Sequence, residues 1–163
     1  MGMKFNNPYP DAPKETSYEE SMEYQDFIVD ILIKNLGLTI STYSSRKYQF
    51  SVGESRQGIE IKLDKRISPK GNVSIEVFEK SKASNSLWVK SGILREDNTW
   101  LYIQGNYEYV FIFSKRALRQ IYEDKYKYRV WEPKPTIKTF LISFNEAERL
   151  CEKLIVVRRI LDK

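Results

Sequence analysis

The sequence predicts an α/β (α+β) fold, a central mixed β-sheet flanked by helices. Three observations carry this. Short runs with a two-residue apolar repeat recur through the middle of the chain, as in Val73, Ile75 and Val77. A run with helical spacing precedes them, with Phe27, Ile28, Ile31 and Leu32 on one stripe. Two further helical stretches are interleaved with the later strands, the order expected of a sheet covered by helices.

In chain order, residues 1–16 hold Pro8, Pro10 and Pro13 with little periodicity, and are expected to form a flexible arm. Residues 17–163 are expected to form a single domain. Its first helix starts near Ser17, where Ser17 and Glu20 fit a capping box, and ends at Gly37. Residues 38–42, 48–52 and 58–64 read as strands, and Pro69 and Gly71 break the loop that follows. Residues 73–79 alternate well. Residues 98–103 and 107–113 flank a turn at Gln104-Gly105-Asn106. Val110-Phe111-Ile112-Phe113 is apolar on both faces, which places that strand centrally. A helix over 115–122, a strand over 137–142 and a long helix over 144–161 complete the chain. Ser143 and Glu146 form a second capping box for that last helix.

Composition narrows the chemistry. The chain of 163 residues has no histidine and one cysteine, Cys151. No Ser–His–Asp triad, Cys–His pair or intrachain disulfide can exist, and a zinc site would have no imidazole and one thiolate. The formal net charge is +5. Residues 1–32 carry two lysines and seven carboxylates, so the rest holds 25 basic and 15 acidic residues. A basic body suits a polyanion such as nucleic acid. No apolar run is long enough to span a bilayer and no signal-peptide pattern is present, so a cytoplasmic, intracellular protein is expected.

The stretch Gly58-Ile59-Glu60-Ile61-Lys62 stands out. On a strand, Ile59 and Ile61 face one side, and Glu60 and Lys62 the other. Glu54 lies six residues upstream, and Ser55-Arg56-Gln57-Gly58 permits a turn that brings the two carboxylates together. Glu54, Glu60 and the backbone carbonyl of Ile61 would make a hard oxygen site for Mg²⁺ or Mn²⁺. Lys62 beside it could position an attacking hydroxide, contact a scissile phosphate, or serve as a base. The competing reading is an exposed cross-strand charge pair, which is what most Glu-x-Lys strands are. Glu76 could bind a second metal or pair with Lys62, and Asp64 fits a structural role. Lys65, Arg66 and Lys70 follow the strand and could hold DNA phosphates; otherwise they form a solvated loop. Tyr122, Tyr126, Tyr128 and Trp131 interleave with Lys125, Lys127 and Arg129, either to stack bases or as an edge strand with aromatic packing.

Glu54, Glu60 and Lys62, with apolar Ile59 and Ile61 and a glutamate-bearing helix upstream, resemble the PD-(D/E)xK nuclease superfamily. Gly53-Glu54-Ser55, Gln57–Asp64, Gly71–Glu76, Ser91-Gly92-Ile93 and Asn98-Thr99-Trp100 resemble its phage and mobile-element members. The resemblance covers roughly residues 17–122. The superfamily's first acid is usually Asp after Pro; here it is Glu54 after Gly53. The resemblance implies a restriction-endonuclease-like fold and a Mg²⁺-dependent endodeoxyribonuclease acting on DNA in a phage or mobile-element host. It also implies an added acid from the first helix, Glu20 or Glu23. Two cuts on a duplex would suit a homodimer. The alternative is a catalytically inactive nucleic-acid-binding or assembly protein with the same fold.

Overall fold

The computed structural model describes residues 18–37 and 51–158. The first helix, α1 (Tyr18–Leu36), buries Tyr24, Ile28, Ile31 and Leu32, one face of a 3.6-residue repeat. Gly37, at φ +64, closes it by donating its N–H to Ile33 O. The proposed cap Ser17, the arm over 1–16 and the expected strand over 38–42 lie outside the described residues. So does most of the expected strand over 48–52; its described end, Ser51–Val52, is a helical turn rather than a strand.

Among the described residues eight strands follow: β1 (Ile59–Leu63), β2 (Asn72–Glu79), β3 (Val89–Lys90), β4 (Leu101–Gly105), β5 (Tyr109–Ser114), β6 (Trp131–Lys134), β7 (Ile137–Ser143) and β8 (Lys153–Val156). They form two four-stranded sheets, where the sequence predicts one central sheet. The first, ordered β1-β4-β5-β8, is mixed: β1 runs parallel to β4 and the other pairs are antiparallel. The second, ordered β3-β2-β7-β6, is antiparallel throughout. The fold is α+β, with three α-helices among the described residues.

The first sheet is buried on both faces. Ile59, Ile61, Ile103, Val110, Ile112 and Ile155 meet α1. On the opposite face, Tyr102, Phe111 and Phe113 join Val73, Ile75, Val77, Phe140 and Ile142 of the second sheet. β5 contributes alternately to both cores and lies between β4 and β8, the central place its two apolar faces predict. Truncating a fully buried ring such as Phe111 to alanine would cost about 3–5 kcal/mol.

Helix α2 (Lys115–Ile121) is capped by Ser114, whose Oγ accepts from Ala117 N, and it runs into a π-helical turn at Tyr122–Tyr126. Helix α3 (Phe144–Leu150) is far shorter than the helix predicted over 144–161. Ser143 caps it by accepting from Glu146 N. The Glu146 carboxylate does not reach back to complete the box; it accepts from Lys125 Nζ at 2.7 Å and from the Tyr126 hydroxyl. Beyond Cys151 the chain turns extended and becomes β8, because Ile155 of that strand and Val157 just past it fill the core under α1. No helix among the described residues is long and apolar enough to cross a membrane.

Candidate functional site

The site is built on β1. Parallel pairing sets Glu60 beside Tyr102 and Lys62 beside Gln104, so these side chains share the sheet face turned toward the second core. Glu60 is only 1% exposed. A carboxylate so buried requires a partner, and Lys62 Nζ lies 2.9 Å from its Oε1. Its Oε2 has no hydrogen-bond partner among the described residues.

Glu54 reaches the same place because the segment before β1 folds back. Gly58 N donates to Ser55 O at 3.2 Å, closing the turn that Ser55-Arg56-Gln57-Gly58 predicts. Ser55 Oγ then accepts from Ile59 N at 2.8 Å and donates to Ile59 O at 2.9 Å. Asn98 fastens the loop from outside. Its N–H donates to Val52 O and its Nδ2 to Ser55 O, each at 2.8 Å. Trp100 Nε1 donates to Gln57 O. Gly58 sits at φ +72 directly against the Asn98 carbonyl, where a Cβ would collide. Held this way, Glu54 Oε1 stands 3.4 Å from Lys62 Nζ.

Lys62 thus bridges two carboxylates, with its side chain 32% exposed and that of Glu54 24%. Burial pushes the Glu54 carboxyl above the usual range, the Glu60 charge adds to the push, and Lys62 opposes it. Burial also disfavours the Lys62 ammonium, yet Glu60, Glu54 and Glu76 outweigh it and hold the amine protonated well above the usual lysine range. In this arrangement Lys62 is a cationic donor. Burial, with the Glu60 charge, keeps the Tyr102 phenol neutral far above its ordinary range.

Arg95 lies in the same field. Burial opposes its charge, but Glu60 and Glu79 strengthen it, and Arg95 donates to Glu79 Oε1 at 2.9 Å. Glu76, half-buried on β2, is close enough to act on both Lys62 and Tyr102.

Other predicted residues lie apart. Lys65 Nζ is 2.7 Å from Glu20, so the helix acid and the proposed phosphate ligand neutralise each other. Glu23 is exposed on α1 and takes no part in the ion pairs around Lys62. Arg66 and Lys70 are exposed in the loop after β1. Asp64 is structural, as expected: it accepts from Arg66 N, Ser74 N and Gln104 Nε2. Gln104 also donates to Ser74 O at 2.6 Å, tying the end of β1 and β4 to β2. In the tyrosine-rich stretch, Tyr122 and Tyr126 are buried against Phe140, and Lys125 and Lys127 pair with Glu146 and Glu123. Aromatic packing therefore holds for those residues, but on a π-helical turn and not on the expected edge strand, which begins at Trp131 in β6; Tyr128 is 94% exposed.

Among the described residues no three His, Cys, Asp or Glu side chains form a ready-made metal cluster. The donors present still fit a hard cation. The buried Glu60 Oε2 has no partner among the described residues, and Glu54 lies across Lys62 from it. Asp64 N donates to Gly105 O and Leu101 N to Gly58 O, so the even-numbered residues of β1 direct their backbone groups at β4. The Ile61 carbonyl then faces the other way, at the edge that β1 forms among the described strands. Sequence reasoning assigns no role to Arg95, Asn98 or Tyr102. For Asn98 the signal is the Asn98-Thr99-Trp100 motif, whose asparagine turns out to be a loop fastener. No protein-family model, curated protein or solved structure matches the chain.

Proposed function

We propose that this protein is a metal-dependent endodeoxyribonuclease of restriction-endonuclease-like fold, hydrolysing DNA phosphodiester bonds. The observation that carries this reading is the buried Glu60. One of its oxygens is on Lys62, the other has no partner among the described residues, and Glu54 faces it across the same ammonium. Burying such a group is costly, and the cost is understandable where the second oxygen awaits a cation. Glu60, Glu54 and the Ile61 carbonyl would hold Mg²⁺ or Mn²⁺. When bound, the ion supplies an acidified water and neutralises charge on the phosphate. Lys62, kept protonated by its carboxylates, donates to the attacking oxygen or to a phosphate oxygen. Glu54 holds Lys62 beside Glu60 and would gain a second favourable partner from a bound cation. Arg95, fixed by Glu79, adds positive potential where a scissile phosphate would approach.

The test is cleavage of supercoiled and branched DNA with Mg²⁺ or Mn²⁺ by the wild type and by Glu60→Gln. Metal-dependent cutting that the variant loses is expected; equal cutting by both would refute the assignment.

One observation favours the second reading, a non-catalytic DNA-binding or assembly protein. The Lys62 ammonium already lies between the two carboxylates and satisfies both in part. Calorimetric titration separates the two, because the nuclease binds Mn²⁺ and the assembly protein binds DNA without it.

A further inference from the structure

We infer that the connection from β2 to β3, with Lys138 of β7, forms a second polyanion-binding surface that takes the sugar-phosphate backbone of DNA. Residues 80–90 hold Lys80, Lys82 and Lys90, three serines, an asparagine and no carboxylate. Residues 81–87 are all exposed, with Leu87 at 73%. The connection is nevertheless ordered by its own bonds. Lys80 Nζ donates to Asn85 O at 2.9 Å, Asn85 Nδ2 to Ser81 Oγ at 2.7 Å, and Asn85 N to Lys82 O at 3.0 Å. It frames an open hollow of about 610 Å³.

Trp88 is the organising residue. Lys80 Nζ lies over its ring at 4.6 Å from the centroid and Lys138 Nζ at 4.3 Å. Two like charges on one indole repel each other, and the ring holds them together by its negative face. Among the described residues the carboxylate paired with this cluster is Glu132, 3.5 Å from Lys138 and half exposed. With its ring engaged by ammonium groups, Trp88 serves as a platform for cations and not as a base-stacking surface. Phosphate contacts without base readout are therefore the chemistry expected, and binding should be independent of sequence. Lys80 follows Glu79 in sequence, and Glu79 holds Arg95 in the field of Glu60 and Glu54.

This inference shares the substrate class of the proposed function but not its chemistry, and the experiment keeps the two apart. Anisotropy of a fluorescein-labelled duplex of about 20 base pairs, of unrelated sequences, is read between 50 and 200 mM salt. The probe is added to wild type, Lys82→Glu/Lys90→Glu, Lys80→Ala/Lys138→Ala and, as a control, Lys34→Ala on the exposed face of α1. Both patch variants should bind roughly tenfold or more weakly, with a salt slope shallower by about 2, whereas Lys34→Ala binds as wild type does. The exposed Lys82→Glu/Lys90→Glu pair guards against a loss of folding. Wild-type affinity in both patch variants, or no duplex binding by the wild type, would overturn the inference. So would displacement of the duplex by polyglutamate of matched charge as readily as by unlabelled DNA, which would mark an acidic-peptide surface. Weak binding by the patch variants beside a metal-independent, uncut substrate would retain this surface and refute the nuclease reading instead.

Discussion

Lys62 Nζ lies 2.9 Å from Glu60 Oε1, two residues away on the same face of one strand, and closes off half of a carboxylate that is otherwise buried. This pair anchors the site. Replacing Lys62 by methionine leaves the Glu60 charge without its neutralising partner. The single variant and Glu60→Gln should each destabilise the fold, and the double variant should cost less than their sum. The coupling expected from chemical denaturation is about 1–3 kcal/mol. Strict additivity would show that the pair is energetically idle.

Glu54 behaves in the opposite sense. Its carboxyl is pushed above the usual range, chiefly by burial. A group whose folded pKa is raised favours the fold while protonated, and that contribution is lost as pH rises through the folded value. At neutral pH without metal, Glu54 therefore costs stability. Glu54→Gln should melt about 2–4 °C higher, the shift roughly 1 kcal/mol gives in a chain of this size, while losing metal-dependent cleavage. A lower melting temperature in metal-free buffer would contradict this.

The Asp97–Lys115 pair, at 2.7 Å and almost fully buried, braces the segment that carries Arg95, whose carbonyl accepts from Lys115 Nζ. Burial alone would raise the Asp97 carboxyl, but hydrogen bonds from Lys115 and from Thr99 N lower it below the usual range. A depressed folded pKa gives stability that is present above the unfolded value and lost as pH falls through the folded one. The wild type should lose stability below about pH 4, where the unfolded carboxyl titrates. Asp97→Asn should cost about 3 kcal/mol at neutral pH and flatten that acid limb. An unchanged acid limb in the variant would count against the pair.

Asn98 touches none of the reacting groups proposed, yet it fastens Val52 and Ser55 on either side of Glu54. Asn98→Ala, or Gly58→Ala against the Asn98 carbonyl, should reduce cleavage about tenfold to a hundredfold by displacing Glu54. Mn²⁺ affinity should fall with it, and an unchanged affinity would show that the loop does not position a ligand.

What the sequence reveals and what it hides follow from the range of each interaction. The alternation of Ile59, Glu60, Ile61 and Lys62 is local, and so is the Ser55–Gly58 turn, so the convergence of Glu54, Glu60 and Lys62 is legible in the residues alone. The α1 stripe and β2 are legible for the same reason. The split into two sheets is not, because it depends on β2 pairing with β7 and β5 with β8, across long separations. Leu150, Leu154 and Val157 mimic a helical stripe, and the β-branched Ile155-Val156-Val157 run is the signal for β8 that this stripe masks. Glu20 reads as a capping or catalytic acid, and its ion pair with Lys65, 45 residues away, lies beyond any local pattern. Arg95 and the Lys80–Trp88–Lys138 cluster are likewise products of tertiary pairing.

The most direct test of the central claim is the cutting of supercoiled plasmid and branched DNA in Mg²⁺ or Mn²⁺ by wild type and Lys62→Ala, each first shown to be folded. A nuclease centred on Glu60 and Lys62 should cut as the wild type, stop on chelation, and lose about a hundredfold or more in Lys62→Ala. Equal residual cleavage by the two proteins would contradict it.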